Sequence, residues 1–149
     1  MNGAYLHLIV NHFPPIMAIA SIIVLATGSV WRRGDVRRMG VLLVVLAAAT
    51  SVPTYFSGEA AEELVEGLAD ANHAAIEPHE DAAKIAFGLM IAAGVAALAA
   101  LFVFRAEREL PAWAIAAILV LTLTATAAAI RTALLGGRIK HPEIMMRSR

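Results

Sequence analysis

The chain has 149 residues, of which 60% are hydrophobic and 16% are charged, and its mean hydropathy is +0.73. This composition is too apolar for a soluble domain of this size and is typical of a membrane protein. The 12 basic and 12 acidic side chains balance, so no overall positive charge indicates nucleic-acid binding. Cysteine does not occur, which excludes disulfides, iron–sulfur clusters and thiolate metal sites.

The N-terminal residues 1–15 lack the basic region of a cleaved signal peptide, and the apolar run after them is longer than such a peptide needs. We therefore expect this segment to remain in the mature protein. Pro14 and Pro15 predict the first turn of a helix, with His12 directly before it.

Four apolar runs are long enough to cross a hydrocarbon layer about 30 Å thick. They cover residues 13–31, 39–56, 82–104 and 112–135. They predict an all-α fold: a membrane-embedded four-helix bundle forming a single domain over residues 1–149. Many alanines, together with Gly88 and Gly94, allow close approach between the helices.

Charge at the helix connections predicts the orientation. Residues 32–38 carry four arginines and one aspartate, so the positive-inside rule assigns this turn to the cytoplasm. With four spans, both termini and the long central segment then lie outside, which is the periplasm for a bacterial inner membrane. All five histidines share that face: His7, His12, His73, His79 and His141.

The central segment, residues 57–81, holds the concentrated polar chemistry, with eight carboxylates, two histidines and no Lys or Arg. Acidic side chains recur at helical spacing over residues 59–70, and Ala60, Ala61, Leu64, Val65 and Leu68 line the other face. This pattern predicts an extramembrane amphipathic helix. Pro78 predicts the first turn of the third span, and Gly136-Gly137 predict the end of the fourth. His12, His79 and His141 would therefore meet in one layer.

Short motifs here resemble an uncharacterised family of small four-span bacterial membrane proteins. The matching motifs are His7-x4-His12-Phe13-Pro14, Gly58-Glu59-Ala60-Ala61-Glu62, Ile76-Glu77-Pro78-His79-Glu80 and residues 136–143, GGRIKHPE. This resemblance implies the four-span architecture and no particular activity. Histidines contributed by several helices also loosely resemble membrane-bound b-type cytochromes, although no histidine lies at the opposite leaflet.

Three functions remain open from the sequence. The first is a haem b-binding electron carrier or subunit, with iron held by His12 and His79, His7 and His141 in reserve, and the propionates near Arg131, Lys84 and Arg138. The second is a zinc, iron or copper site that adds the carboxylates of Glu62 and Glu80 to the histidines. The third is a non-catalytic accessory subunit of a larger membrane complex. A quinol, a periplasmic cytochrome or another membrane subunit are the expected partners besides lipid, and stand-alone enzyme activity is not expected.

Overall fold

The structure is a computed structural model that describes residues 3–67, 72–105 and 109–140. These residues form six α-helices and one short 3-10 turn at His73–Ala75, and no β-strand occurs among them. The helices are α1 (Gly3–Val10), α2 (Phe13–Val30), α3 (Gly34–Phe56), α4 (Gly58–Glu66), α5 (Ile76–Val103) and α6 (Ala112–Lys140).

The four long helices, α2, α3, α5 and α6, form the predicted bundle. Each packs on two neighbours in the ring α2–α3–α5–α6, and α6 closes the ring against α2. All four are long and apolar enough to cross a membrane. Their outward faces carry large apolar side chains such as Ile23, Val95 and Val120. The all-α membrane-helix architecture predicted from the sequence is therefore confirmed.

Close helix contacts depend on small residues. Gly94 of α5 lies so near Ala48 of α3 that a Cβ on the glycine would overlap the alanine Cβ. Gly40 of α3 lies against Leu25 of α2, where an added Cβ would come within 2.6 Å of the leucine Cγ. Because lipid provides little hydrophobic drive for helix association, such close packing supplies the dispersion energy that holds the bundle together.

The turn between α2 and α3 ends α2 with a left-handed residue that is not glycine. Arg32 has φ of 54°, and the N–H groups of Arg32 and Arg33 donate to the carbonyls of Ser29 and Gly28. This is the Schellman arrangement of a helix C-terminus. Arg37 reinforces it, because its side chain also donates to the Gly28 carbonyl at 3.2 Å.

Three predicted boundaries change in the structure. The first span is preceded by a separate helix, α1, which the sequence patterns did not reveal. The amphipathic helix is shorter than predicted and ends at Glu66, with Leu64 exposed, while Leu68 and Asp70 lie outside the described residues. The prediction that Gly136-Gly137 end the fourth span is wrong, since α6 continues to Lys140 and no described glycine has a positive φ.

Candidate functional site

His7 of α1 is half-buried and held against the end of α3. Its Nδ1 lies 3.0 Å from the carbonyl oxygen of Thr54 and 3.2 Å from the hydroxyl of Ser57. A carbonyl oxygen can only accept, so Nδ1 carries the proton in this contact. The neutral ring then has its lone pair on Nε2, the nitrogen available to a metal. Gly58 leaves space beside the ring, since an added Cβ would be 3.7 Å from His7 Cε1.

His79 lies in the first turn of α5, as Pro78 predicted, and is held in the same way by α6. Its Nδ1 lies 2.9 Å from the carbonyl oxygen of Thr132. Nδ1 again donates to a carbonyl, which leaves Nε2 as the nitrogen that can bind a metal. Gly136 makes this position possible, because a Cβ there would come within 2.9 Å of the His79 ring.

His7 of α1 and His79 in the first turn of α5 belong to the same end of the bundle. They come from different helices, and each is oriented by a backbone carbonyl of a third or fourth helix. His12, the predicted partner of His79, is instead exposed at the N-cap of α2 and its side chain makes no hydrogen bond or ion pair with a described residue. Among the described histidines, His7 and His79 are the two whose rings are held by hydrogen bonds.

Carboxyl groups of α4 and α5 meet beside His79. Glu62 of the amphipathic helix lies close to Glu80 at the start of the third span, and this neighbour, together with desolvation, raises the pKa of Glu62 to about 7. Two carboxylates side by side repel, and protonation of one relieves that repulsion. Lys84 lies 3.8 Å from Glu80 and 3.2 Å from Asp81, and the Lys84 charge therefore reduces the negative charge of this group.

A second set of contacts ties α1 to α3. The hydroxyl of Thr54 lies 3.1 Å from the carbonyl oxygen of Val10 and 2.9 Å from that of Thr50. One proton cannot serve both fully, so the hydroxyl divides its donation between them. Asn11 follows directly, and its Oδ1 is buried without a hydrogen-bond partner among the described residues. Thr54 thus positions α1 through its hydroxyl and His7 through its carbonyl.

Of the remaining predicted residues, the described ones are His73, Lys84, Arg131 and Arg138, and none of them contacts His7 or His79. His73 is exposed in the 3-10 turn, and His141 lies outside the described residues. Arg131 and Arg138 are exposed on α6 and make no ion pair with a described residue. Lys84, predicted to bind a propionate, is engaged with acidic side chains of its own helix.

The sequence did not single out the groups that orient the two imidazoles, namely Thr54, Ser57 and Thr132, and it assigned Gly136 to a helix end. Within the described ranges, no group of three or more His, Asp and Glu side chains is close enough together to hold a metal ion. His7 and His79 each offer one oriented nitrogen ligand at this end of the bundle.

No protein-family model, no curated protein and no solved structure matches the chain. The functional argument accordingly rests on the geometry of this site.

Proposed function

We propose that this protein is a membrane-bound haem b protein that carries electrons, with the iron held between His7 and His79. The observation that carries the proposal is the matched orientation of the two imidazoles, each with Nδ1 on a backbone carbonyl. Histidines that bind a metal commonly donate their other ring N–H in this way, which fixes the ring and raises the basicity of the ligating nitrogen. Haem iron ligated by two imidazoles exchanges single electrons.

The charges around the site also fit an anionic macrocycle. Arg131 and Arg138 are seven residues apart on α6, so they lie on one face of the helix, two turns from each other. Arg131 immediately precedes Thr132, whose carbonyl holds His79. Both guanidinium groups are exposed, and either can bind a propionate. Glu80 raises the pKa of Glu62 to about 7, so the Glu62 carboxyl is partly protonated near neutral pH and repels the group less.

The proposed orientation sets this site at the periplasmic face of a bacterial inner membrane. It is supported by the four arginines of residues 32–38, which the positive-inside rule assigns to the cytoplasm. Electrons would then be exchanged with a membrane quinol, a periplasmic cytochrome or another membrane subunit.

A second candidate is a zinc, iron or copper ion bound by the same two histidines together with Glu62 and Glu80. The contact between the two carboxyl groups favours it, because converging carboxylates attract a cation. Against it, the described residues bring no three of these ligands together. We therefore rank it below haem, which needs only the two imidazoles.

The absorption spectrum of the purified protein tests the proposal. A Soret band is expected in the native chain and should be lost in His7→Ala and in His79→Ala. His12→Ala and His73→Ala are matched controls, since both histidines are exposed at the same end of the bundle, and these variants should keep the band. A colourless protein with stoichiometric metal by elemental analysis would select the ion. A colourless and metal-free protein that purifies only with partner subunits would identify an accessory subunit.

A further inference from the structure

Arginine side chains gather at the end of the bundle opposite His7 and His79. Among the described residues of this end, five arginines stand against two carboxylates, Asp35 and Glu109. The arginines, which we call the arginine face, are Arg32, Arg33, Arg37, Arg38 and Arg105. Arg38 joins the two connections that carry them, because its guanidinium group donates to the carbonyl of Arg105 at 2.9 Å. This end of the bundle therefore presents a positively charged surface.

Two members of the arginine face have no partner within the described part of the chain. Arg33 pairs with Asp35 at 2.8 Å, and Arg37 donates to main-chain carbonyls at the end of α2. Arg32 and Arg105 are exposed, and neither side chain makes a hydrogen bond or ion pair with a described residue. A guanidinium group carries five N–H donors in a planar fork that matches the oxygens of a phosphate. These two side chains can therefore receive an anion from outside the protein.

Both tryptophans of the chain lie at this same end. Trp31 directly precedes Arg32 and is 69% exposed, and Trp113 lies in the first turn of α6 and is 68% exposed. The ring of Trp113 meets that of Phe104 edge-on at a centroid distance of 6.2 Å, and the Phe104 carbonyl accepts from Arg38. Tryptophan is enriched where the hydrocarbon of a bilayer meets the headgroups. The two rings therefore set the arginine face at the level of the headgroups.

We propose that the arginine face binds the headgroups of anionic phospholipids, with Arg32 and Arg105 donating to the phosphate oxygens. Charge complementarity selects this partner: a zwitterionic headgroup carries its own cation beside the phosphate, whereas an anionic headgroup meets the arginines with uncompensated negative charge. The position of the tryptophans favours a lipid over an acidic protein, because headgroups already surround this level of the bundle. The binding requires neither haem nor a particular orientation in the membrane.

Quenching of tryptophan fluorescence by brominated lipids tests this inference, because Trp31 and Trp113 both lie beside the arginine face. The full chain is reconstituted into vesicles of phosphatidylglycerol and phosphatidylcholine, with bromine on the acyl chains of one lipid and then of the other. Brominated phosphatidylglycerol should quench more than its share of the mixture predicts. We expect it to be preferred over phosphatidylcholine about tenfold, and high salt should reduce the preference.

Substitutions show whether the two arginines cause the preference. Arg32→Gln and Arg105→Gln should each lower it about threefold, and the double variant should nearly abolish it. Arg32→Lys keeps the charge and should retain most of it. Lys84→Gln is the control for charge elsewhere, because Lys84 is an exposed cation near the opposite end of the bundle. The lipid preference should be unchanged in that variant.

Equal quenching of the native chain by the two lipids would overturn the inference and would leave the arginine face to an acidic partner protein. A preference that persists in the double variant would also overturn it, because Arg32 and Arg105 would then not be its source. A loss in Lys84→Gln as large as that in Arg32→Gln would refute a local site, since only the total charge of the protein would matter.

None of these outcomes bears on the proposed haem, whose absorption is measured separately.

Discussion

The imidazole of His79 packs directly against Gly136, where a Cβ atom would lie 2.9 Å from His79 Cε1 and 3.1 Å from Nδ1. Both distances are shorter than van der Waals contact, so any side chain at this position must move the ring. Gly136 lies four residues after Thr132 on α6. Because it has no side chain, the His79 ring can reach the Thr132 carbonyl and donate to it.

Gly136→Ala is therefore expected to displace His79 and weaken its 2.9 Å hydrogen bond to Thr132, at a cost of about 1 kcal/mol. Gly137→Ala is the control on the same helix, because a Cβ there meets nothing within 4 Å. Each variant gains about 1 kcal/mol of helix propensity. Thermal unfolding in detergent should show a raised Tm for Gly137→Ala and no gain for Gly136→Ala. Identical Tm changes would contradict the packing described here.

Packing between α3 and α5 makes a similar pair of predictions. Gly94→Ala places a Cβ onto that of Ala48, and overpacking of this kind costs about 1–3 kcal/mol. Gly88→Ala on the same helix has open space around the new atom and should be neutral or slightly stabilising. The free energies of unfolding of both variants, measured in one detergent, check this. A Gly94→Ala protein as stable as the native chain would show that the two helices are not in close contact.

The Glu62–Glu80 contact predicts how firmly α4 is held on the bundle. Glu62→Gln can donate an amide N–H to the Glu80 carboxylate, so the link between α4 and α5 should persist. Glu62→Ala removes it, and amide hydrogen exchange in α4 should become several-fold faster, given a contribution of about 1 kcal/mol. Glu63→Ala is the control, because Glu63 is exposed on the same helix. Equal exchange rates in Glu62→Ala and Glu63→Ala would rule out a stabilising contact.

The α2–α3 turn offers a stabilising substitution. Arg32 adopts φ of 54°, a conformation that costs a residue with a Cβ about 1 kcal/mol and costs glycine almost nothing. We expect Arg32→Gly to raise the free energy of unfolding by about this amount. Arg33→Gly should not stabilise, because Arg33 has φ of −97° and its side chain pairs with Asp35 at 2.8 Å. Chemical denaturation of the two variants provides the measurement, and a stabilisation by both would point away from backbone conformation as the cause.

The membrane helices were predictable because their length and apolar composition follow from the thickness of the bilayer. The positions of Pro14 and Pro78 also predicted helix starts correctly, since proline suits a first turn, where its missing N–H leaves no bond unmade. The prediction that the fourth span ends at Gly136-Gly137 was wrong. Glycine pairs commonly end helices, but here one of them makes room for a ring from another helix, and only the packed structure reveals that neighbour.

The partners of the two imidazoles could not be inferred for a related reason. His7 binds the carbonyl of Thr54, which is one of the last four in α3 and so has no partner within its own helix. Every helix offers such carbonyls, and no side-chain pattern marks which of them a distant histidine will reach. The hydrogen bonds of His7 to Thr54 and of His79 to Thr132 therefore could not be predicted from the sequence.

Arg38 donates to the carbonyls of Phe104 and Arg105 at 2.7 and 2.9 Å, and so holds the end of α5 against the start of α3. Arg37 likewise donates to the carbonyls of Gly28 and Ser29 at the end of α2, so two of the four arginines in residues 32–38 take part in the internal hydrogen bonding of the protein. An experiment that reverses the insertion of the chain by neutralising these arginines would therefore also loosen the bundle. Neutralising Arg32 and Arg33 instead would alter the charge of the turn and leave the side-chain hydrogen bonds of Arg37 and Arg38 intact.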